Sequence, residues 1–488
     1  MLYRQKFDTF IRIYDDIGYM INKCDSRDIA VSQSGAIFLS ALNRNPQTLD
    51  ELAGKIIRHF TDVDIETIKK DAKEFYDTLE HDGFIVSGET EGELYSKDIR
   101  FSYNQVKSRT LKNDLSSKNS NAALTVQDFL DAQFKNKPIL KNFQIELTSK
   151  CNERCIHCYI PHEMKMDDIE PGLFYSILEQ CKEMKVLDLS LLGGEPLLHK
   201  NFCEFLNRSK NSDFSVTVLS NLTLLNDDII AEMKANRLSS VQVSLYSMKP
   251  EIHDKITQMK GSFKKTKKAI LNLIENNIPL QVSCPTMKQN KDCYIDVMKW
   301  VNDVLKGADG YKVRIGTDFI MIAKYDRTEQ NLENRLSLIE AEKLIQNIIE
   351  NDPLYRDINY IDDEKRDISN DALCNVCNSS ICMTANGDIY PCPGWQKYIA
   401  GNVKETPLQK IWNNSEKVRY LRELRMKDFP KCLECEDRVY CKICMVRNAN
   451  EDPEGNPLNI NEHCCKIAAI NRKIIMDWKS KQKRKNLT

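Results

Sequence analysis

The 488-residue chain has no apolar run approaching the roughly 20 residues that cross a bilayer, and its start, MLYRQKFDTF, lacks the charged stretch and apolar core of a secretion signal. A cytoplasmic protein without membrane contact is the expectation. Charge of one sign is also missing. Lys and Arg number 70 against 71 Asp and Glu, a formal net charge of −1, so no overall field draws nucleic acid or anionic lipid. The C-terminal KSKQKRKN run reads as a solvated tail. Cysteine is scarce at first and abundant later: only Cys24 precedes residue 150, although the chain holds 18. In a reducing compartment that number argues against a disulfide framework and for metal thiolates. With 41% hydrophobic and 29% charged residues the chain reads as globular, and its length implies two or three domains.

Residues 1–87 read as a small domain. FIRIYDD (10–16), YMINK (19–23) and DIAVS (28–32) have the character of short strands, with Asp16 and Gly18 supplying a turn. Three helical patterns follow. The first runs from Ser34 to Leu42. The second opens on the capping box Thr48-x-x-Glu51 and gathers Leu49, Leu52, Ile56, Ile57 and Phe60 on one face. In the third, Ile65, Ile68, Ala72, Phe75 and Leu79 recur at helical spacing, and Gly83 occupies a C-terminal cap position. Residues 88–140 are polar and weakly periodic, a linker with at most a short helix near 126–134. From 141 to about 345, strands and helices alternate: FQIEL (143–147), LDLSLL (187–192), FSVTVL (214–219), VQVSL (241–245), PLQVSC (279–284) and YKVRI (311–315), with helices between them. Such repetition predicts a parallel α/β sheet, open or closed into a barrel, with its chemistry at the C-terminal ends of the strands.

The first of these strands runs directly into KCNERCIHCYIP, which holds Cys151, Cys155 and Cys158. A structural zinc site needs four protein ligands, and a catalytic one favours histidines and carboxylates with an open position. Three thiolates suit a cubane iron–sulfur cluster with one iron left for an exogenous ligand. His157 as a fourth ligand is disfavoured by its place inside the tight loop.

The CxxxCxxC spacing, with Tyr159 after the last cysteine, resembles the radical S-adenosylmethionine (SAM) enzymes, and Gly193-Gly194-Glu195-Pro196 after the second strand matches their GGEP motif. The resemblance implies a partial (β/α)6 TIM-like barrel. It implies that SAM chelates the open iron and that reductive cleavage of its sulfonium C–S bond gives a 5′-deoxyadenosyl radical. It further implies that Glu195 and the GGEP backbone receive the SAM ammonium, that Ser220 and Asn221 meet the ribose, and that Ser244 meets the carboxylate or ribose. Arg314 and Gly316 would lie near the adenine.

Ten cysteines crowd between Cys374 and Cys465. Taken alone, their CxxCx5CxxC core suits zinc as well as iron–sulfur. The full order, with Gly387 and Cys392 spaced as Gly-x4-Cys, resembles the SPASM extension of radical SAM enzymes (residues 346–488), which binds two further cubane clusters. The resemblance assigns Cys377, Cys382, Cys392 and Cys444 to the first, and Cys432, Cys435, Cys441 and Cys464 to the second. It leaves Cys374 as an alternative to Cys377 and Cys465 as an alternative to Cys464. Three [4Fe-4S] clusters in all would be held.

Residues 1–87 resemble the PqqD-like recognition element of peptide maturases, where a leader peptide adds a strand to a sheet edge. Here that edge would be Asp28 to Ser32, with a groove beside Ile68, Ala72 and Phe75. The alternative, a DNA-binding winged helix, is disfavoured because IETIKKDAKEFYDTLEHDG mixes charges where phosphates need a basic face. Together the three parts resemble maturases of Cys-rich peptides, of the sactipeptide and ranthipeptide type, which form thioethers. Their partners would be a precursor peptide and an electron donor such as flavodoxin or ferredoxin, with no nucleic acid. Carbon–carbon or carbon–oxygen links or epimers are alternative products, and a non-catalytic redox sensor is a third reading, opposed by GGEP. Pro393 follows Cys392, where the sulfatase-maturing relatives carry an Asp base, so the base is unidentified.

Overall fold

The computed structural model describes residues 1–24, 27–98, 101–103, 126, 130, 134, 137–164, 166–236, 238–305, 321–353, 367–441 and 443–485. The expected YKVRI strand, with Arg314 and Gly316, lies outside them, as does most of the 126–134 helix.

The N-terminal unit contains β1 (Leu2–Gln5), β2 (Thr9–Tyr14), β3 (Ile17–Asn22), β4 (Arg27–Ser32), α1 (Ser34–Ala41), β5 (Gln47–Thr48), α2 (Leu49–Ile56), α3 (Ile65–His81), β6 (Ile85–Gly88) and α4 (Glu91–Lys97). The three expected strands form the antiparallel meander β2-β3-β4, while β1, β5 and β6 make a second sheet that the sequence did not suggest. LYRQ and IVSG are too short to show an alternation. The capping box at Thr48 and Glu51 is closed in both directions and starts α2. Gly83, at φ 80°, ends α3: its N–H bonds to the Glu80 carbonyl and that of Phe84 to the Leu79 carbonyl. This is the paired geometry of a Schellman cap. Ile68 and Ala72 are buried in this unit's own core, so they line no open groove; Phe75 is only partly covered. Helix α4 stands where linker was expected. Just beyond it Asp98 pairs with Arg4 at 2.6 Å, both side chains almost wholly buried.

The central sheet grows from alternating units: β7 (Asn142–Thr148), α5 (Pro171–Glu183), β8 (Asp188–Gly193), α6 (Phe202–Asn211), β9 (Ser215–Leu219), α7 (Asp227–Ala235) and β10 (Leu238–Ser244). Helix α8 (Pro250–Thr257), which the sequence reading passed over, precedes α9 (Ser262–Glu275), β11 (Leu280–Ser283) and α10 (Tyr294–Leu305). The strands lie side by side as β11-β10-β9-β8-β7, all parallel. Beyond β7 the sheet continues into the Cys-rich region: β12 (Ser380–Met383) pairs parallel with β7, followed by the antiparallel β13 (Asp388–Tyr390) and β14 (Gly401–Asn402). The expected barrel and the expected Cys-rich extension thus share one α/β sheet. Helices α11 (Leu338–Asn351) and α12 (Glu462–Lys485) pack on each other. Among the described residues no helix is long and apolar enough to cross a membrane.

Side chains alternate across this sheet. Phe143, Ile145, Leu147, Leu189, Leu191, Val216, Val218, Val241, Val243 and Val282 enter the main hydrophobic core on one face. The other face is polar: Gln144 is in register with Ser190, Ser190 with Thr217, and Thr217 with Ser240. One row nearer the C-terminal ends stand Glu146, Leu192, Leu219, Gln242 and Gln281.

The N-terminal unit is fastened to the opposite end of the strands. Arg12 donates to the carbonyls of Val186 (2.9 Å) and Asp213 (2.6 Å), and Tyr14 donates to that of Lys185 (3.1 Å). Arg44 pairs with Asp213 and Lys23 with Asp188, at 2.9 and 2.7 Å. These contacts cluster where β8 and β9 begin.

Candidate functional site

Immediately after β7 the chain turns through the three-cysteine loop, and neighbouring segments hold its backbone. The N–H groups of Gly194 and Glu195 donate to the carbonyls of Thr148 and Lys150, both at 2.8 Å. On the other side, Arg154 and Ile156 donate to Thr257 and Ile256 at the end of α8, each at 3.0 Å. A Cβ on Gly193 would collide with the Thr148 carbonyl, and one on Gly194 with those of Ser149 and Lys150. The glycine pair therefore lets two stretches of this chain touch. Gly193 also sits at φ 153°.

Cys151, Cys155 and Cys158 are part-buried free thiols. Burial pushes the Cys155 thiol well up, and Glu153, Cys158 and Cys151 reinforce it. Such thiols become thiolates when a metal's charge offsets the repulsion. Among the described residues no three His, Cys, Asp or Glu side chains close around a single ion. Three thiols on one loop, mutually close and without a disulfide, are the donor set of a cluster ligated at its corners.

The strand ends around the loop form one hydrogen-bonded network. Glu195 is fully buried, its carboxylate accepting from Ser220 Oγ (2.7 Å), Asn221 N (2.7 Å) and Leu197 N (3.0 Å). Burial nevertheless raises it to about 7. Asn221 Nδ2 donates to Asn152 Oδ1 (2.9 Å), and Asn152 Nδ2 to Thr223 Oγ1 (2.7 Å), so the loop is tied to the end of β9. Of the expected SAM-contacting residues, Glu195, Ser220 and Asn221 are thus brought together, Pro196 opens a short 3-10 turn beside them, and Ser244 ends β10 on the sheet's polar face. His157 Nε2 lies 3.3 Å from Tyr246 Oη, the rings edge to face. His253 supports Tyr246 by accepting from its backbone N–H at 3.3 Å, and burial lowers that imidazole to about 4. Asn152, Tyr246 and His253 are not singled out by the sequence: Asn152 lies unmarked inside the loop between two cysteines, and no spacing links Tyr246 or His253 to it.

The cysteines of the C-terminal region approach the same face. Cys382 on β12 is in register with Gln144 of β7 and is completely buried. The β12–β13 turn depends on Gly387 at φ 91°, and β13 carries the chain to Cys392. Cys377, Cys382 and Cys392 influence one another electrostatically, Cys444 and Cys374 act on Cys392, and burial pushes Cys377 and Cys392 up to about 12. A second group forms farther out. Cys432, Cys435 and Cys441 neighbour Cys465, whereas Cys464, buried, is turned toward Cys441 and Cys444. Successive helical residues point about 100° apart, so the two thiols at the start of α12 point differently: Cys465 toward Cys432, Cys435 and Cys441, Cys464 toward Cys441 and Cys444. Tyr159 stands between the sets, feeling Cys158 on one side and Cys392 and Cys382 on the other.

Comparison with known proteins finds three family models along the chain. Residues 145–301 match the Radical SAM superfamily, residues 374–437 the SPASM iron-sulfur cluster-binding domain, and residues 25–85 the coenzyme PQQ synthesis protein D (PqqD) family. An AdoMet-dependent heme synthase of Methanosarcina barkeri is 26% identical over 328 residues, 62% of this chain and 90% of that protein. The antilisterial bacteriocin subtilosin biosynthesis protein AlbA of Bacillus subtilis is 26% identical over 324 residues, 64% of this chain and 69% of AlbA. The crystal structure of Streptococcus suis SuiB bound to precursor peptide SuiA shares the fold at a TM-score of 0.61 and 16% identity, covering 95% of this chain and 100% of SuiB. A radical SAM domain binds a [4Fe-4S] cluster and SAM, and a SPASM domain binds additional iron–sulfur clusters. With those domains in that order, the chain is a radical SAM/SPASM enzyme with an N-terminal PqqD-like domain.

Proposed function

We propose that this enzyme matures a ribosomally made, Cys-rich precursor peptide, forming thioether links between cysteine sulfurs and peptide carbons. The observation that carries the reading is the polar sheet face, flanked by the three-cysteine loop at one side and by Cys382 and Cys392 at the other, in a chain that also bears a free strand edge. In this reading Cys151, Cys155 and Cys158 hold the SAM cluster, and Glu195, Ser220, Asn221 and Ser244 shape the SAM pocket. Cys377, Cys382, Cys392 and Cys444 hold one auxiliary cluster. Cys432, Cys435 and Cys441 hold the other, with Cys465 in preference to Cys464 because it faces them. When bound and reduced by a donor such as flavodoxin or ferredoxin, the SAM cluster supplies the adenosyl radical that removes a hydrogen atom from the peptide.

Recognition of the leader is assigned to β4, which among the described residues is the edge strand of its sheet. Gln33 N bonds to the Asp16 carbonyl, and with Ile17 opposite Ser32 this sets the ladder so that Gly18, Met20 and Asn22 exchange bonds with Val31, Ile29 and Arg27. The N–H and C=O groups of Asp28, Ala30 and Ser32 consequently point to the open edge, where an added strand would bind.

The test is anaerobic reaction of reconstituted enzyme with SAM, reductant and the Cys-containing peptide encoded beside its gene. Loss of two hydrogens per link, together with loss of alkylatable thiols, supports thioethers. Hydrogen loss with every thiol still alkylated would replace them with carbon–carbon or carbon–oxygen links, and deuterium uptake from heavy water without mass loss would indicate epimers.

A further inference from the structure

Besides Glu153 inside the loop itself, two buried carboxylates lie near it, and they are built differently. Glu195 is bound by three donors from its own strand ends and serves as a brace. Glu146 is 3% exposed in the middle of β7, on the face that carries Gln144, Ser190, Thr217, Gln242 and Gln281, with Leu192 directly beside it and Leu219 in the same row. Its side-chain donor is Gln396 Nε2, 2.7 Å from Oε2, reaching in from the Cys-rich region, and the Ala385 backbone assists. Among the described residues it has no ion-pair partner; its charged or titratable neighbours are Asp167, Tyr159, Tyr325, Tyr390 and Cys382, none of them a cation. An uncompensated carboxylate is costly in a protein interior. Burial accordingly lifts Glu146 to about 7. A strand of this sheet would be more stable with an apolar or amide residue there, and a costly buried acid beside two sets of metal-ligating thiols marks a working group.

We infer that Glu146 is the base of the reaction: it accepts the proton of the substrate thiol while Gln396 holds its second oxygen in place. This rests on the peptide-maturase reading above. The peptide C–H bond gives its hydrogen atom to the adenosyl carbon, and the substrate S–H gives its proton to Glu146. Sulfur and carbon join, and the one electron in excess passes to an oxidised iron–sulfur cluster of the Cys-rich region. Glu146 lies between the groups that such a substrate must meet, since Tyr159, next to Cys158, and Cys382 both feel its charge.

The experiment measures modified peptide per 5′-deoxyadenosine in fully reconstituted full-length enzyme. For Glu146→Gln the ratio should fall by about 100-fold or more, the usual contribution of a general base, and Glu146→Asp should recover part of it. Gln396→Ala, the fallback should Glu146→Gln not fold, should lower kcat for the peptide with little change in its KM. An undiminished ratio in Glu146→Gln, or an Asp variant no better than the Gln variant, overturns the assignment. An unchanged kcat in Gln396→Ala overturns the orienting role. Wild-type enzyme that cleaves SAM but never alters the peptide would instead sink the maturase reading, and this inference with it.

Discussion

At Gly194 one hydrogen atom decides whether the cysteine loop can close, because any Cβ would meet the backbone carbonyls of Ser149 and Lys150, which cannot rotate away as a side chain could. Gly194→Ala should therefore destabilise the protein by about 1–3 kcal/mol, the range for overpacking, and reduce iron at the loop; an iron content and melting curve equal to wild type would refute the account. The two adjacent thiols on α12 make a sharper comparison. Cys465→Ala should cost about four irons per chain if it completes a cubane, while Cys464→Ala, remote from Cys432 and Cys435, should retain them. The reverse pattern would return the ligand role to Cys464. The cysteines were legible because thiolate spacing is written in the chain. Glu146 was not singled out, although its signal was present: a charged residue inside FQIEL, a strand buried on both sides.

Among the elements, β4 carries the binding prediction and α11 the pH prediction. Ala30→Pro removes an outward N–H from the free edge without touching the bonds to β3, so leader affinity should fall while SAM cleavage, assayed alone, stays at the wild-type rate. Helix α11 starts on a capping box in which Glu340 accepts from Ser337 N and also pairs with Lys291 at 2.7 Å. These hydrogen bonds hold Glu340 down at about 2. Its folded value lies below its unfolded one, so the stability it contributes is present above about pH 4.3 and disappears as pH falls toward 2. Because the carboxylate is largely solvated, the effect should be no more than a cap's worth, about 1 kcal/mol. Urea melts of Glu340→Gln and wild type should differ at pH 6 and converge at low pH. The helices and parallel strands of the sheet were readable from alternation alone, whereas β12 was not: its partner β7 lies far away in the chain, and only a tertiary pairing distinguishes SICM from a loop.

In the whole molecule the PqqD-like domain and the SAM site sit at opposite ends of the central strands, which changes how leader binding can serve the reaction. The domain's elements run past residue 87 into β6 and α4, and Arg4 relies on Asp98. A fragment cut at 87 would leave Arg4 buried without its partner, a loss of about 3–5 kcal/mol, so binding should be measured on residues 1–103. The domain packs on Leu187, the residue before β8, and Gly193 ends that strand six residues on, so about 20 Å of chain separates the attachment from Gly193 at 3.3 Å per residue. A leader held on β4 must hand its core peptide across at least that distance. Extended chain covers no more than about 3.6 Å per residue, so at least about six residues must lie between the docked strand and the first modified residue. Shortening this spacer below about six residues should abolish modification while leaving leader binding unchanged. Doubling a longer spacer should cost only about 0.6 kcal/mol in closure entropy, roughly a threefold drop in effective concentration. A precursor with a shorter spacer that is still modified at the normal rate would show that the leader is held elsewhere, nearer the cysteine loop.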